Sequence, residues 1–245
     1  MTASKFPVLE LFGPTIQGEG MVIGQKTMFV RTAGCDYSCA WCDSAFTWDG
    51  SAKEHIRLMT AEEIYAELKQ IGGDTFQHVT ISGGNPALLK GMGELVDLLH
   101  RLGMEVGLET QGSRWQDWFV DIDQLTLSPK PPSSQMTPDL SILDAIVARL
   151  QEANPNRTRF SLKVVVFDEQ DLAFAVDLHK RYPDVLFYAQ VGNDTTDAEE
   201  GMDFLQHLIS RYEWLVDQVS ASTALRNVRV LPQLHTYLWG NRRGV

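Results

Sequence analysis

Cys35, Cys39 and Cys42 are the only cysteines of the chain, and they occupy eight residues of RTAGCDYSCAWCDS with the spacing C-x3-C-x2-C. An odd number of cysteines packed this closely argues against a disulfide framework, which consumes them in pairs. Buried structural thiols would scatter over core positions instead of gathering in one segment. A structural zinc site takes four protein ligands, and no histidine within the segment supplies the fourth. Cubane iron–sulfur clusters are held by thiolates, normally four. Three thiolates leave one iron open to a ligand that takes part in chemistry, and on that reading the motif is functional. Zinc with a distant fourth ligand and inert buried thiols stand as the alternatives.

Other residue types with chemical capacity fall beside apolar runs. Arg31 sits inside MFVRTAG, and a buried guanidinium needs an anionic partner, either a structural carboxylate or a ligand. The glycines of PTIQGEG permit either a tight turn or close backbone approach to a ligand. Asp43 and Ser44 follow the last cysteine, where helix capping is the ordinary reading. Ser82-Gly83-Gly84-Asn85-Pro86 reads first as a turn; Glu109 and Gln190 close strand-like runs, and Ser128-Pro129-Lys130 precedes two stiffening prolines. Near the end of the sequence, Arg242 and Arg243 are either a solvated pair or ligands for a small anion, and His235 reads as an ordinary helix or turn residue.

These residues must be placed by elements, and the hydropathy pattern alternates between two periods. Strand-like runs cover Met28–Thr32, His78–Ile81, Val106–Glu109, Leu125–Leu127, Phe160–Val166, Val185–Gln190 and a short Val228–Leu231. Between them, Thr60-x-x-Glu63 is a capping box opening a helix with Ile64, Leu68 and Ile71 inward. Helical spacing also joins Leu95, Leu98, Leu99 and Leu102; Leu143, Ile146, Val147 and Leu150; and Leu205, Leu208, Ile209 and Tyr212, with a weak helix around Trp115–Val120. Strands separated by helices imply βαβ units and a parallel sheet. About six units fit a partial barrel or a doubly wound sheet in a single α/β domain spanning 1–245. In both, ligands gather at the carboxyl ends of the strands, where most of these residues stand.

Composition bounds the partners. The 245 residues carry 21 Lys+Arg against 32 Asp+Glu, a net charge of −11 that disfavours binding a phosphate backbone. No stretch approaches the length of a spanning helix, and MTASKFPVLELFGP lacks the apolar region of a signal peptide. The expectation is a cytoplasmic protein acting on a small molecule, with neither nucleic acid nor membrane as partner.

The cysteine spacing just after an early strand, with Trp41 before the third cysteine, resembles the signature of radical S-adenosylmethionine (SAM) enzymes. The flanking GPTIQGEG, with ISGGNPALL, LETQGS, LSPKPPSS and VLPQLHTYLWGNRRGV, is similar to the 7-carboxy-7-deazaguanine synthases over nearly the whole chain. The resemblance implies a partial (β/α) barrel, with a [4Fe–4S] cluster on Cys35, Cys39 and Cys42 and SAM on the open iron. The reduced cluster then cleaves SAM to a deoxyadenosyl radical, which the protein orients and shields. The implied reaction contracts 6-carboxy-5,6,7,8-tetrahydropterin to 7-carboxy-7-deazaguanine with loss of ammonia, toward queuosine and other deazapurines. The radical would take hydrogen from carbon 6, so no protein acid or base is called for.

The same resemblance assigns SAM contacts to Trp41, Cys42, Asp43, Gly84, Ser128, Pro129, Lys130 and Gln190, and Mg²⁺ to Ser44. It assigns the substrate to Ile16, Gln17, Gly18, Arg31, Ser82, Glu109, His235 and Val245, with a cluster loop at 34–44 and a capping tail at about 228–245. It also implies a homodimer and a one-electron donor such as a flavodoxin or ferredoxin. Two positions depart from the family pattern: Ser44 replaces a common Thr, and Asn85 a common Glu. A glycyl-radical activating enzyme and a non-catalytic iron–sulfur protein for electron transfer or sensing are the alternative readings. The first needs an open groove for a protein partner; the second would not cleave SAM when reduced.

Overall fold

Each apolar run expected as a strand forms one, and together they make a parallel series: β2 (Lys26–Thr32), β4 (His78–Gly83), β5 (Glu105–Thr110), β6 (Gln124–Leu127), β7 (Arg159–Val166), β8 (Leu186–Val191) and β9 (Val228–Leu231). Two strands were not expected. β1 (Phe6–Ile16) pairs antiparallel with β2, and the short β3 (Arg57–Met59) pairs antiparallel with β1. The sheet order is β3-β1-β2-β4-β5-β6-β7-β8-β9. The structure, a computed structural model, describes residues 3–153, 159–195 and 201–245.

Helices α1 (Ala61–Gly72), α2 (Gly93–Arg101), α3 (Leu140–Glu152), α4 (Glu169–Arg181) and α5 (Met202–Ala221) connect successive strands, and α6 (Leu234–Trp239) follows β9. The capping box forms as expected: the Thr60 hydroxyl accepts from the Glu63 amide at 3.3 Å, and the Glu63 carboxylate accepts from the Thr60 amide at 2.8 Å. The buried stripe of α1 runs through Ala61, Ile64, Leu68 and Gly72, so Ile71, expected inward, falls at its edge and is exposed. Leu102 is exposed too, because α2 ends one residue earlier; Leu95, Val96 and Leu99 face the core instead. Leu143, Ile146, Val147 and Leu150 are all buried. On α5 the stripe shifts to Phe204, Leu208, Leu215 and Val219, leaving Leu205, Ile209 and Tyr212 half-buried at its flanks. The weak helix near Trp115 is a 3-10 segment, Asp117–Asp121.

Strand alternation divides the sheet into two faces. Val30, Ile81, Leu108, Leu127, Val164 and Ala189 join the helix-covered core. Arg31, Ser82, Glu109, Ser128, Lys163 and Gln190 alternate with them and occupy the concave face. Apolar residues on one face and polar groups on the other fit a barrel whose interior holds ligands rather than side-chain layers.

Among the described residues the sheet does not close by strand pairing. The loop between β1 and β2 spans the opening: Glu19 bonds Lys163 on β7 and Gln233 beyond β9, while the Gly18 carbonyl accepts from Leu234 N at 2.9 Å. A Cβ on Gly18 would land on the His235 ring, so the crossing requires glycine there. The partial barrel is therefore completed by a loop. No described helix is long and apolar enough to cross a membrane.

Candidate active site

The cluster loop leaves β2 and is pinned to the strands around it. Gly34 donates to the Thr47 carbonyl at 2.8 Å and its own carbonyl accepts from Asn85 N at 2.7 Å. This contact brings Gly84 so close to Gly34 that a Cβ on Gly84 would strike the Gly34 carbonyl. Farther along, Ala40 N donates to the Ser134 carbonyl at 3.0 Å, tying the loop to the segment after β6. Cys35, Cys39 and Cys42 all face one cavity of about 310 Å³, a size within the range of small-molecule sites.

The donor chemistry at the three sulfurs fits an iron–sulfur cluster. Tyr37 N lies 3.4 Å from Cys35 Sγ, Trp48 Nε1 3.4 Å from Cys42 Sγ, and Gln111 Nε2 3.6 Å from Cys35 Sγ. N–H groups aimed at sulfur suit thiolates carrying charge. Burial pushes all three thiols up, Cys39 to about 11, so bare thiolates are disfavoured in this loop unless a metal compensates them.

Trp41 donates to Ser133 Oγ at 2.9 Å and packs against Phe167 with ring centroids 4.9 Å apart, while Lys130 Nζ lies 5.8 Å from its ring. Ser133 and Phe167 are both fixed by Asp171, whose buried carboxylate accepts from Ser133 N at 3.0 Å and Phe167 N at 2.9 Å. A flat apolar and cationic wall thus stands beside the cysteines.

On the opposite side, Arg31 lies 3.3 Å from the Glu10 carboxylate, between the rings of Phe12 and Phe46 at 5.1 and 5.4 Å. Burial lowers its pKa against the raising pull of Glu10 and Asp43. Beyond that ion pair its guanidinium forms no hydrogen bond to another described residue, and Arg31 lines the cavity. Ser44 Oγ donates to Asp43 at 3.0 Å, and Asp43, Glu19 and His235 bring one ligand atom each within 4.8 Å of one another.

The floor of the cavity is an ionic triad around the buried Lys163, absent from the sequence expectations except for Glu109. Lys163 Nζ reaches Glu109 at 3.2 Å and also bonds Glu19. Burial pushes the Glu109 carboxyl above the usual range despite the ammonium. At Glu19 burial acts in the same direction but is outweighed by Lys163, His235 and Gln233, which hold it below that range. Burial also disfavours the Lys163 charge, yet the two carboxylates outweigh it and keep the ammonium charged. A signal for Lys163 was present: it is the lone charge in FSLKVVV, the same pattern that singled out Arg31.

The cavity lining includes Ile16, Gln17, Gly18, Arg31, Ser82 and Glu109, the SAM-side Trp41, Asp43, Gly84, Ser128 and Lys130, the metal candidate Ser44, and His235 and Val245 from the tail. Two expected residues are not at its surface. Pro129 is buried within the loop after β6, and Gln190 is wholly buried behind the lining, with neither amide atom hydrogen-bonded. Gln190 shares the register of Val165, which does line the cavity, so its orientation is as expected but its depth is not.

Residues 29–182 match the Radical SAM superfamily, and the chain belongs to it. That membership brings a [4Fe–4S] cluster and SAM, and makes the protein an enzyme. The chain is 63% identical to the 7-carboxy-7-deazaguanine synthase of Bacillus subtilis (strain 168), over 99% of this chain and 100% of that protein. It is 59% identical to the enzyme of the same name from Bacillus cereus, with the same coverage. Within the superfamily it thus belongs to the 7-carboxy-7-deazaguanine synthase family. The crystal structure of QueE from Escherichia coli shares the fold, with a TM-score of 0.69 and 23% identity over 94% of this chain and 95% of that one. These relationships favour the synthase reading over both an activating enzyme and a non-catalytic iron–sulfur protein.

Proposed function

We propose that the protein contracts 6-carboxy-5,6,7,8-tetrahydropterin to 7-carboxy-7-deazaguanine with loss of ammonia, in the pathway to queuosine and other 7-deazapurines. The observation that carries this is the opening of three cysteines and a half-buried guanidinium, Arg31, held by a single 3.3 Å ion pair to Glu10, onto one cavity. A guanidinium fork is matched to a carboxylate, and the substrate is a carboxylated ring.

When bound, the cluster and SAM supply a 5′-deoxyadenosyl radical. Cys35, Cys39 and Cys42 hold the cluster; Trp41, Asp43, Gly84, Ser128, Pro129 and Lys130 line or support the SAM side, with Gln190 behind it. Arg31 binds the substrate carboxylate. Glu19 and Glu109, fixed by Lys163, accept hydrogen bonds from the N–H groups of the pterin ring, while Ile16, Gln17, Gly18, Ser82 and His235 surround it. The tail ending in Val245 covers the site and excludes water. Mg²⁺ is held through Ser44, supported by the nearby oxygen and nitrogen ligands of Asp43, Glu19 and His235. Residues 1–245 act as a single domain, in a cytoplasmic homodimer supplied with electrons by a flavodoxin or ferredoxin.

The test is anaerobic reconstitution with iron and sulfide, then reduction in the presence of SAM, Mg²⁺ and the carboxypterin. Formation of 7-carboxy-7-deazaguanine is the expected result. SAM cleavage without that product would overturn the substrate assignment, and no SAM cleavage from a fully loaded cluster would overturn the reaction class.

A further inference from the structure

Glu10 stands between two guanidiniums. It faces Arg31 across the β1–β2 pair, and its Oε2 lies 3.3 Å from Arg31 Nη1. That oxygen makes no hydrogen bond, although it is buried. Its other oxygen, Oε1, accepts a hydrogen bond from Arg243 Nε in the tail. Arg243 is also laid on Phe46, with its guanidinium carbon 3.7 Å from the ring centroid, and the same ring flanks Arg31. The carboxylate is thus engaged by the tail and only loosely paired with the strand.

We infer that Arg243 is a positioning residue: by engaging Glu10 it keeps the Arg31 fork available to the carboxylate of the substrate. The inference rests on the reading of Arg31 as the substrate's carboxylate partner. The charge balance carries it. Arg31, Glu10 and Arg243 sum to one positive charge, which an arriving carboxylate neutralises. Without Arg243, Arg31 and Glu10 sum to zero, so Glu10 can take both prongs of the Arg31 fork. The arriving carboxylate would then meet a carboxylate in a poorly hydrated site. Asp43 also acts on Arg31 from the cluster loop, but its contribution is common to every variant compared here. Arg243 is itself 40% exposed at its side chain, and its one ring contact, on Phe46, is the same in the single and double variants that replace it. The same pair lines a shallow outer cavity with Glu54, His55 and Arg57, which makes a simple wall the competing explanation.

The experiment is equilibrium binding to the reconstituted, SAM-loaded enzyme under anaerobic conditions, with unreactive 6-carboxypterin as probe and pterin lacking the carboxylate as reference. Arg243→Gln should weaken 6-carboxypterin binding by about tenfold, the scale of one charge-assisted contact, and leave pterin binding unchanged. Arg243→Lys keeps the charge and should stay near the wild-type affinity. The Glu10→Gln and Arg243→Gln double variant should recover most of the lost affinity, because Arg31 is again unopposed. A wall or a direct ligand contact predicts no such recovery. A double variant as weak as Arg243→Gln, or Arg243→Gln at wild-type affinity, would overturn the inference. The underlying reading fails separately: Arg31→Gln must abolish the preference for the carboxylated probe, and if it keeps that preference, Arg31 is not the partner.

Discussion

The Asn85 amide donates to the Asp36 carboxylate at 2.8 Å, joining the turn after β4 to the residue that follows the first cysteine. Asp36 also accepts from Gln111 Nε2 at 2.6 Å and Ser113 Oγ at 2.7 Å, so three donors converge on one carboxylate beside Cys35. Asn85 is fully buried and uses its whole capacity: its Nδ2 serves Asp36 and Ser113, and its Oδ1 accepts from Ala87 N at 3.2 Å and Thr110 Oγ1 at 2.7 Å. In this pair the charge is on Asp36, and Asn85 supplies the donor. Asn85→Asp would remove two donors and set like charges together. Leaving buried groups unpaired costs roughly 1–3 kcal/mol, with repulsion in addition. A lowered denaturant midpoint and poorer cluster loading are expected, and a midpoint equal to wild type would show that Asn85 does not anchor the loop.

Ser44 is the position where the family's hydroxyl persists without its methyl. Its Oγ rests on Asp43 at 3.0 Å and lines the cavity. In the proposed function it is a hard oxygen ligand of Mg²⁺. Ser44→Ala should therefore shift the magnesium titration of turnover to higher concentrations and slow the reaction, with the cluster spectrum and SAM affinity preserved. An unchanged titration removes Ser44 from the metal site.

Much of this arrangement was legible in the sequence because it is local. The cysteine spacing, the Thr60–Glu63 box and the apolar parallel strands are all patterns within a few residues. β1 escaped because prolines at positions 7 and 14 interrupt its run, and proline is tolerated there on a strand whose pairing shifts register between Phe12 and Thr15. The inward face was misjudged at Ile71, which sits at the edge of the α1 stripe, and the helix end at Leu102, one residue past α2. The partners of Lys163 were invisible for a different reason. Glu19 lies 144 residues away and meets it only because the β1–β2 loop spans the barrel opening. Spacing reports neighbours along an element; ion pairs across a cavity are set by topology.

At the other end of the barrel, His78 is buried between Thr27 and Gln124. Gln124 gives its Nε2 to Glu105 at 3.1 Å, so its Oε1 faces His78 Nε2 at 3.1 Å, and that nitrogen must carry the proton; Nδ1 then accepts from Thr27 Oγ1 at 2.8 Å. Burial pushes the imidazole below its ordinary value of 6.5, against the raising influence of Gln124, Glu105 and Asp123. The folded state therefore resists a proton that the unfolded chain accepts. The contribution is complete above the unfolded value and is lost as the pH falls below it. His78→Gln should flatten the fall in stability as the pH drops below about 6.5 relative to wild type, read by denaturant titration at each pH. Parallel curves for the two proteins would show that His78 does not titrate against folding.

Lys163 is 3% exposed at its side chain and holds two half-buried carboxylates with one charge. Its burial is unfavourable by itself, and so is that of Glu19 and Glu109; only together do they offset the lost hydration. Lys163→Met keeps the length of the side chain but strands both carboxylates within reach of one another. Breaking a buried pair this way costs roughly 3–5 kcal/mol. The sign of the pH dependence identifies the cause. With the ammonium gone, both carboxyls should titrate higher, so the variant's deficit should shrink as the pH falls and the stranded groups take up protons. Adding Glu109→Gln to Lys163→Met should restore part of the stability at pH 7, because one carboxylate can then be neutral without a proton. If the deficit is the same at pH 5 and pH 8 and the second substitution adds to it, Lys163 acts by packing alone, and the paired glutamates are not the groups it restrains.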